Sequence, residues 1–234
     1  MERVKMKYMG SKRKISKHIL PIILDNRKDG QYYVEPFCGG CNSLDKVGSL
    51  RIGADNNKYL IALLKKMQDG EIDFPFVGES EYKNIKDNKD QYPDWLLGYV
   101  GFQLSFGAKW FGGYRRDKAG VRDYENEAQQ NLKAQQNLII GVEFSCCDYW
   151  DLYIPRDSIV YCDPPYEGTT RYKDDFDHRK FWDWVREKSM ANAVFVSEYS
   201  APPDFECLWS MDVKTLLDKS SVKTDTEKLF KMKG

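Results

Sequence analysis

The chain has 234 residues, of which 41% are hydrophobic, and its 36 Lys and Arg are balanced by 36 Asp and Glu. That length and apolar content suffice for one large domain, or one domain with a small insert, and argue against wholesale disorder. No apolar run approaches the roughly 20 residues of a membrane span, and the first residues lead into lysine rather than an apolar signal core. In chain order, residues 15–24 predict a helix with Ile15, Ile19, Leu20 and Ile23 on one face and a break or kink at Pro21. Residues 32–37 read as a short strand running into Gly39-Gly40, 50–55 as a second strand ending on Asp55, and 57–68 as a helix. From 69 to 136 the chain turns polar, aromatic-rich and punctuated by glycine, with a Glu/Gln/Asn run over 125–136. That composition predicts an inserted lobe of helices and loops. Strand-like runs return at 138–147, 158–162 and 193–197, the last after a helix at 179–190. The expected fold class is therefore α/β, a parallel nucleotide-binding sheet interrupted once.

The six cysteines, in a chain without an export signal, predict reduced thiols in a cytoplasmic setting. Cys38 and Cys41 form a CxxC with no second CxxC to complete a zinc site, and Cys146 and Cys147 are adjacent. His18 and His178 lie far apart and lack metal-ligand spacing. Small buried thiols, no metal and no catalytic triad are expected. Because net charge is zero, any nucleic-acid contact must come from local charge. One basic run spans 5–17; a second spans 109–122, with Lys109, Arg115, Arg116, Lys118 and Arg122 interleaved with Trp110, Phe111 and Tyr114. On composition alone, a solvated face and a phosphate-tracking surface explain these runs equally well.

The segment most informative about chemistry is Asp163-Pro164-Pro165-Tyr166 at the carboxyl end of an apolar strand, where α/β sheets keep their sites. Two prolines fix two φ angles and remove two donors, leaving rigid carbonyls. A Pro164 carbonyl beside the Asp163 carboxylate offers two acceptors to a neutral primary amine, and Tyr166 offers a face for an aromatic ring. A proline-stiffened turn with a capping Asp is the plainer reading of the same residues. Pro36-Phe37-Cys38-Gly39-Gly40-Cys41 is the second signal, since glycines at a strand end permit close backbone approach to a ligand. Asp55 then ends the next strand, placed to accept from ribose hydroxyls. The phosphate-loop pattern GxxxxGK[ST] is absent.

Tyr8-Met9-Gly10-Ser11-Lys12, Glu35-Pro36-Phe37 with Gly39-Gly40, Asp55, Cys147-Asp148-Tyr149 and Asp163-Pro164-Pro165-Tyr166 stand in one order along the chain. With the closing Thr226-Glu227-Lys228-Leu229-Phe230, that order resembles Dam-type (class alpha) DNA adenine-N6 methyltransferases over essentially the whole length. The resemblance implies a Rossmann-like methyltransferase sheet, formed by 1–68 and 137–234, with a mainly helical target-recognition insert at 69–136. It implies S-adenosylmethionine (SAM) as cofactor, S-adenosylhomocysteine as product and no metal. Cofactor contacts would come from Tyr8, Lys12, Glu35, Pro36, Phe37, Gly39, Gly40, Asp55, Asp148, Tyr149 and Asp163. Asp163, Pro164, Pro165 and Tyr166 would act on the target base, and Lys109, Tyr114, Arg115, Arg116, Lys118 and Arg122 on DNA. One departure is Cys41, where family members often carry a second spaced glycine.

The implied partner is double-stranded DNA, met by a monomer or a transient dimer on DNA, in the cytoplasm of a bacterial or phage-infected cell. Residues 167–177 are expected to close over a flipped base. N4 methylation of cytosine and a catalytically inactive DNA-binding relative are the alternatives; an acid at position 163, where the cytosine chemistry more often has Ser, favours adenine.

Overall fold

The computed structural model describes residues 6–70, 73–117, 119–167, 176–216 and 222–234. Apolar runs buried on both faces form central parallel strands, and that is what the sequence supplies. β1 (Tyr33–Glu35) and β4 (Ile159–Cys162) are buried at every position, and β2 (Arg51–Asp55) at all but Asp55. With β3 (Val142–Cys146), β5 (Ala193–Glu198), β6 (Phe205–Leu216) and β7 (Val222–Met232) they make one seven-stranded sheet ordered β3-β2-β1-β4-β5-β7-β6. Tyr33 lies opposite Arg51 on one side and Ile159 on the other, both parallel. β7 runs antiparallel between β5 and β6. Alternate residues feed two cores. Ile159, Tyr161 and Phe195 face one, while Val160, Cys162, Val194 and Val196 face the other. Helices therefore cover both faces, as in doubly wound α/β proteins.

Strand order reverses between β1 and β4. A crevice opens outside the carboxyl ends of such neighbours, so the chain following Glu35 and the chain following Cys162 emerge side by side.

α1 (Arg13–Ile23) buries Ile15, Ile19, Leu20 and Ile23, as its spacing predicts. The expected break at Pro21 does not occur: the helix passes through it, and Leu24 N–H donates to the Leu20 carbonyl at 2.9 Å. Pro21 and Lys17 both lie on the exposed side, so the Lys17 carbonyl that Pro21 cannot satisfy faces solvent. α2 (Lys58–Gln68) is capped by Asn57, whose side chain accepts from Leu60 N–H at 3.1 Å. α3 (Glu79–Asp87), α4 (Asp94–Gly98) and a π-helical turn over Tyr99–Gln103 follow. α5 (Tyr124–Ile139) absorbs the Glu/Gln/Asn run and buries Leu132, Gln135 and Ile139. The run beginning at Leu138 thus starts as the last turn of α5, and β3 begins only at Val142. α6 (His178–Ser189) is capped by Asp177. β6 forms the sheet edge and β7 carries a polar run over 223–228, so neither presents the apolar run that predicts a buried strand. Among the described residues no helix is long and apolar enough to cross a membrane.

α4 crosses α2 at Gly98, where a Cβ would stand 2.2 Å from the Tyr59 carbonyl oxygen and 3.0 Å from the Leu63 Cβ. Backbone cannot yield as a flexible side chain does, so Gly98→Ala is expected to destabilise by about 1–3 kcal/mol or more. At roughly 2–4 °C per kcal/mol for a chain of this size, the melting temperature should fall by about 2–12 °C. An unchanged thermal transition would refute this crossing.

Candidate active site

Cys162 ends β4, and Asp163 follows it into the crevice. Its carboxylate lies 3.3 Å from the Lys12 ammonium, and its side chain is 20% exposed. Burial raises the Asp163 pKa to about 6, against the pull of Lys12 in the other direction. Burial also works against the Lys12 charge, yet Asp163 and Glu227 together hold that ammonium above the ordinary lysine value. Tyr166 is buried and donates its hydroxyl to Glu227 Oε2 at 2.7 Å. Lys12 Nζ sits 4.2 Å from the Tyr166 ring centroid, and the Tyr199 ring meets it edge-on at 4.6 Å. Glu198, at the end of β5, accepts the backbone N–H groups of Glu167 (3.2 Å) and Tyr199 (2.7 Å), pinning the chain just beyond Tyr166. Burial pushes Glu198 up to about 7 and Glu35, which accepts the Tyr33 hydroxyl at 2.8 Å, up to about 8.

The other half of the crevice is the turn after β1. Gly39, at φ 47°, donates its N–H to Asp55 Oδ2 at 3.2 Å, and Asn57 N–H donates to Asp55 Oδ1 at 2.9 Å. Asp55 thereby ties the glycine turn to the start of α2, and burial raises its pKa. The glycines serve packing here. A Cβ on Gly40 would lie 2.7 Å from the Tyr8 Cβ, and one on Gly39 3.0 Å from the Tyr8 ring, so the N-terminal segment lies directly on the turn. Phe37 packs against Tyr149 at 5.2 Å and Phe181 at 5.8 Å. Asp148 accepts from the Asn56 side chain at 3.2 Å. Trp150 stands partly exposed beside them, with Lys180 Nζ 3.7 Å over its ring.

One cavity of about 1170 Å³ joins the two halves. Every residue expected on the cofactor side lines it, as do all four of the Asp-Pro-Pro-Tyr turn, and of the expected DNA contacts among the described residues Lys109 alone does. Cys38 and Cys41 are buried free thiols in the turn. Among the described residues no group of three His, Cys, Asp or Glu is placed to hold a metal. Trp150, Lys180, Glu198 and Glu227 line or brace the site without having been assigned roles from sequence. Glu198 carried a readable signal, an acid closing an apolar strand as Asp55 does.

The remaining basic residues are more dispersed. Arg115 binds Glu127 at 3.2 Å and covers the Tyr124 ring at 3.8 Å, leaving its side chain 14% exposed. Arg116 pairs with Glu79 at 2.8 Å in the open, Tyr114 packs against Tyr82, and Arg122 is exposed. Lys5, Lys118 and residues 168–175 of the expected closing segment lie outside the described residues.

Comparison with known proteins matches residues 8–95 and 108–191 to the family D12 class N6 adenine-specific DNA methyltransferase. No curated protein matches the chain. Among solved structures, SMU.472, assigned as a methyltransferase and crystallised with SAH, aligns at 13% identity and a TM-score of 0.38, over 97% of this chain and 54% of that one. The chain thus spans about half the length of that protein. An S-adenosylmethionine-dependent methyltransferase from Clostridium acetobutylicum ATCC 824 aligns at 12% identity and a TM-score of 0.35, over 95% of this chain and 75% of that one. With both of its motif-bearing segments inside the matched region, which takes in more than half of its length, the chain belongs to the D12 class N6 adenine-specific DNA methyltransferase family.

Proposed function

We propose that the protein is a Dam-type (class alpha), site-specific DNA methyltransferase that methylates the N6 amine of a flipped-out adenine in double-stranded DNA, using SAM. The observation that carries this reading is the single cavity joining Asp163-Pro164-Pro165-Tyr166 to the Gly39-Gly40 turn and Asp55. Its volume exceeds the roughly 300–1,000 Å³ of a pocket for one small ligand, which suits a nucleoside cofactor together with a base. The donor set fits SAM. The Asp55 carboxylate has about four acceptor sites and spends two on Gly39 and Asn57, leaving others for ribose hydroxyls. Phe37, Tyr149 and Trp150 supply aromatic surface, and Tyr8 and Lys12 close the cavity from the N-terminal side. SAM, when bound, supplies an electrophilic methyl group carried on a sulfonium.

The residues of this chain do the positioning. An exocyclic adenine amine is a weak nucleophile because its lone pair is delocalised into the ring. The Asp163 carboxylate and the Pro164 carbonyl accept its two N–H bonds, draw the nitrogen toward sp³ geometry and aim the lone pair, and orientation of this kind accounts for most of the rate. Flipping the base costs a few kcal/mol, and stacking on Tyr166 offsets about 1–3 kcal/mol of it.

In this reading residues 69–136 form the target-recognition insert on a methyltransferase domain of 1–68 and 137–234, acting as a monomer in a bacterial or phage-infected cytoplasm. Lys109 and Arg122 meet phosphates, with Lys118 in the same basic run. Arg116 gives up an exposed ion pair worth at most about 1 kcal/mol for a guanine edge worth about 1–3 kcal/mol of discrimination. Tyr114 and Arg115 hold the shape of the insert around Tyr82 and Glu127. Transfer of labelled methyl from SAM to duplex DNA, well above single-stranded DNA or RNA, is the expected result; a preference for RNA would overturn the substrate.

The protonation state of Asp163 sets a pH dependence. Its pKa is raised to about 6, so the accepting carboxylate is present above that pH and lost below it. The kcat/KM for DNA, which reports the free enzyme, should be level above about pH 7 and fall roughly tenfold per unit below pH 6. A flat profile down to pH 5, with DNA binding monitored alongside, would contradict the assignment.

A further inference from the structure

Four groups meet at one point of the cavity. Lys12 Nζ lies 3.3 Å from Asp163 Oδ1, 3.2 Å from Glu227 Oε2, 3.4 Å from Glu227 Oε1 and 4.2 Å from the Tyr166 ring centroid. The Lys12 and Glu227 side chains are 9% and 15% exposed, so the ammonium is shielded and its donors are spent on two carboxylates. The same Glu227 carboxylate takes the Tyr166 hydroxyl at 2.7 Å. Glu227 is carried on β7, in register with Met211 of β6 and one residue before Lys228, which pairs with Glu198 of β5. Its backbone is therefore held in the sheet beside the strand that ends at Glu198.

If the methyltransferase reading above is correct, this arrangement contains a conflict. Asp163 and the face of Tyr166 are where the target amine and its ring must dock, and Lys12 lies against both. The ammonium has to leave Asp163 as the base arrives, and a buried ammonium without a partner is strongly unfavourable. Glu227 is the one other carboxylate within hydrogen-bond reach of Lys12 among the described residues. We propose that Glu227 is a positioning residue of the methyl-transfer site: it fixes the Tyr166 ring through its hydroxyl and retains Lys12 when the target amine displaces that lysine from Asp163. Without the Glu227 charge, Asp163 is the remaining carboxylate partner of Lys12, and the base must compete against that pair.

The test uses the full chain and a duplex containing its own methylation site, with 2-aminopurine at the target position and SAH present. Glu227→Gln keeps the size and an acceptor for Tyr166 but removes the charge. The expected result is a KM for DNA raised about tenfold with kcat changed less than about threefold, and a smaller 2-aminopurine fluorescence rise on binding. Adding Lys12→Met to Glu227→Gln removes the competitor and should restore that rise, a coupling that a merely structural role would not give. Unchanged kinetics and fluorescence in Glu227→Gln, or no restoration in the double variant, would overturn the inference while wild-type methylation still stood. Should Glu227→Gln fail to fold, Lys12→Met alone decides: a fluorescence rise at least equal to wild type supports the inference, and a smaller one overturns it. A wild-type protein that methylates no duplex would instead overturn the function on which it rests.

Discussion

Asp163→Ala is expected to lower methyl transfer by about 10²–10³-fold, the usual loss when one preorganised electrostatic partner is removed from a reacting centre. The alanine variant keeps the glycine turn, Asp55 and the other residues on the cofactor side of the cavity, so SAM affinity should fall far less than methyl transfer. Stability separates this loss from simple unfolding. The Asp163 pKa is raised, from 3.8 to about 6, so the folded state holds the proton more tightly than the unfolded chain. The contribution of this acid to stability is therefore fully present below about pH 4 and is lost as pH rises through about 6. At pH 8 the buried carboxylate opposes folding, and Lys12 keeps Glu227 as a partner when Asp163 is removed. The melting temperature of Asp163→Ala at pH 8 should equal or exceed that of the wild type. An active alanine variant would remove Asp163 from the reaction, and a large fall in melting temperature would make it a structural residue.

Gln135→Leu should produce the opposite pattern, a large loss of stability from a residue that does not line the cavity. Gln135 is fully buried on α5. Its Oε1 accepts from Met6 N–H at 3.2 Å, and its Nε2 reaches the carbonyls of Gly40 (2.9 Å) and Cys41 (3.3 Å) and Asp45 Oδ2 at 3.1 Å. Leucine matches the volume but strands the Met6 N–H and the Gly40 carbonyl in the core, while the Cys41 carbonyl keeps Asp45 N–H at 3.0 Å and Asp45 keeps Lys46. At about 1–3 kcal/mol for each unsatisfied polar group, the expected cost is about 2–6 kcal/mol, or about 4–24 °C in melting temperature. Because the stranded Gly40 carbonyl belongs to the turn that Asp55 holds from its other side, calorimetric SAM binding should weaken as well. Wild-type stability and SAM affinity together would mean that α5 does not support the turn.

These two residues mark where the sequence was legible and where it was not. Asp163 was readable because an apolar strand, an acid and two prolines form a contiguous local signal, and strand ends in parallel sheets converge on one edge. The central strands and α2 were readable for the same local reason, and their observed bounds differ from the predicted ones by a residue or two. Gln135 was invisible because its partners lie 90 or more residues away; within a Glu/Gln/Asn run it reads as surface, and only tertiary packing turns it inward. Glu227 lay inside a motif recognised by resemblance, yet β7 alternates polar and apolar residues too irregularly to announce a strand threaded between β5 and β6. Pro21 misled in the other direction, since a helix tolerates proline where the freed carbonyl faces water. Lys12, expected to meet the cofactor, lines the cavity, and it pairs there with Asp163 and Glu227, residues 151 or more positions away, which no local pattern shows.

The central claim is that the Asp163 site methylates adenine at N6. Nucleoside mass spectrometry of methyl-free genomic DNA, incubated with the full protein and SAM, tests it most directly. N6-methyladenine as the sole new base is the predicted result, and sequencing the product then gives the recognition site. N4-methylcytosine would contradict the base assignment, and unmodified DNA, despite measured SAM binding, would contradict the activity itself.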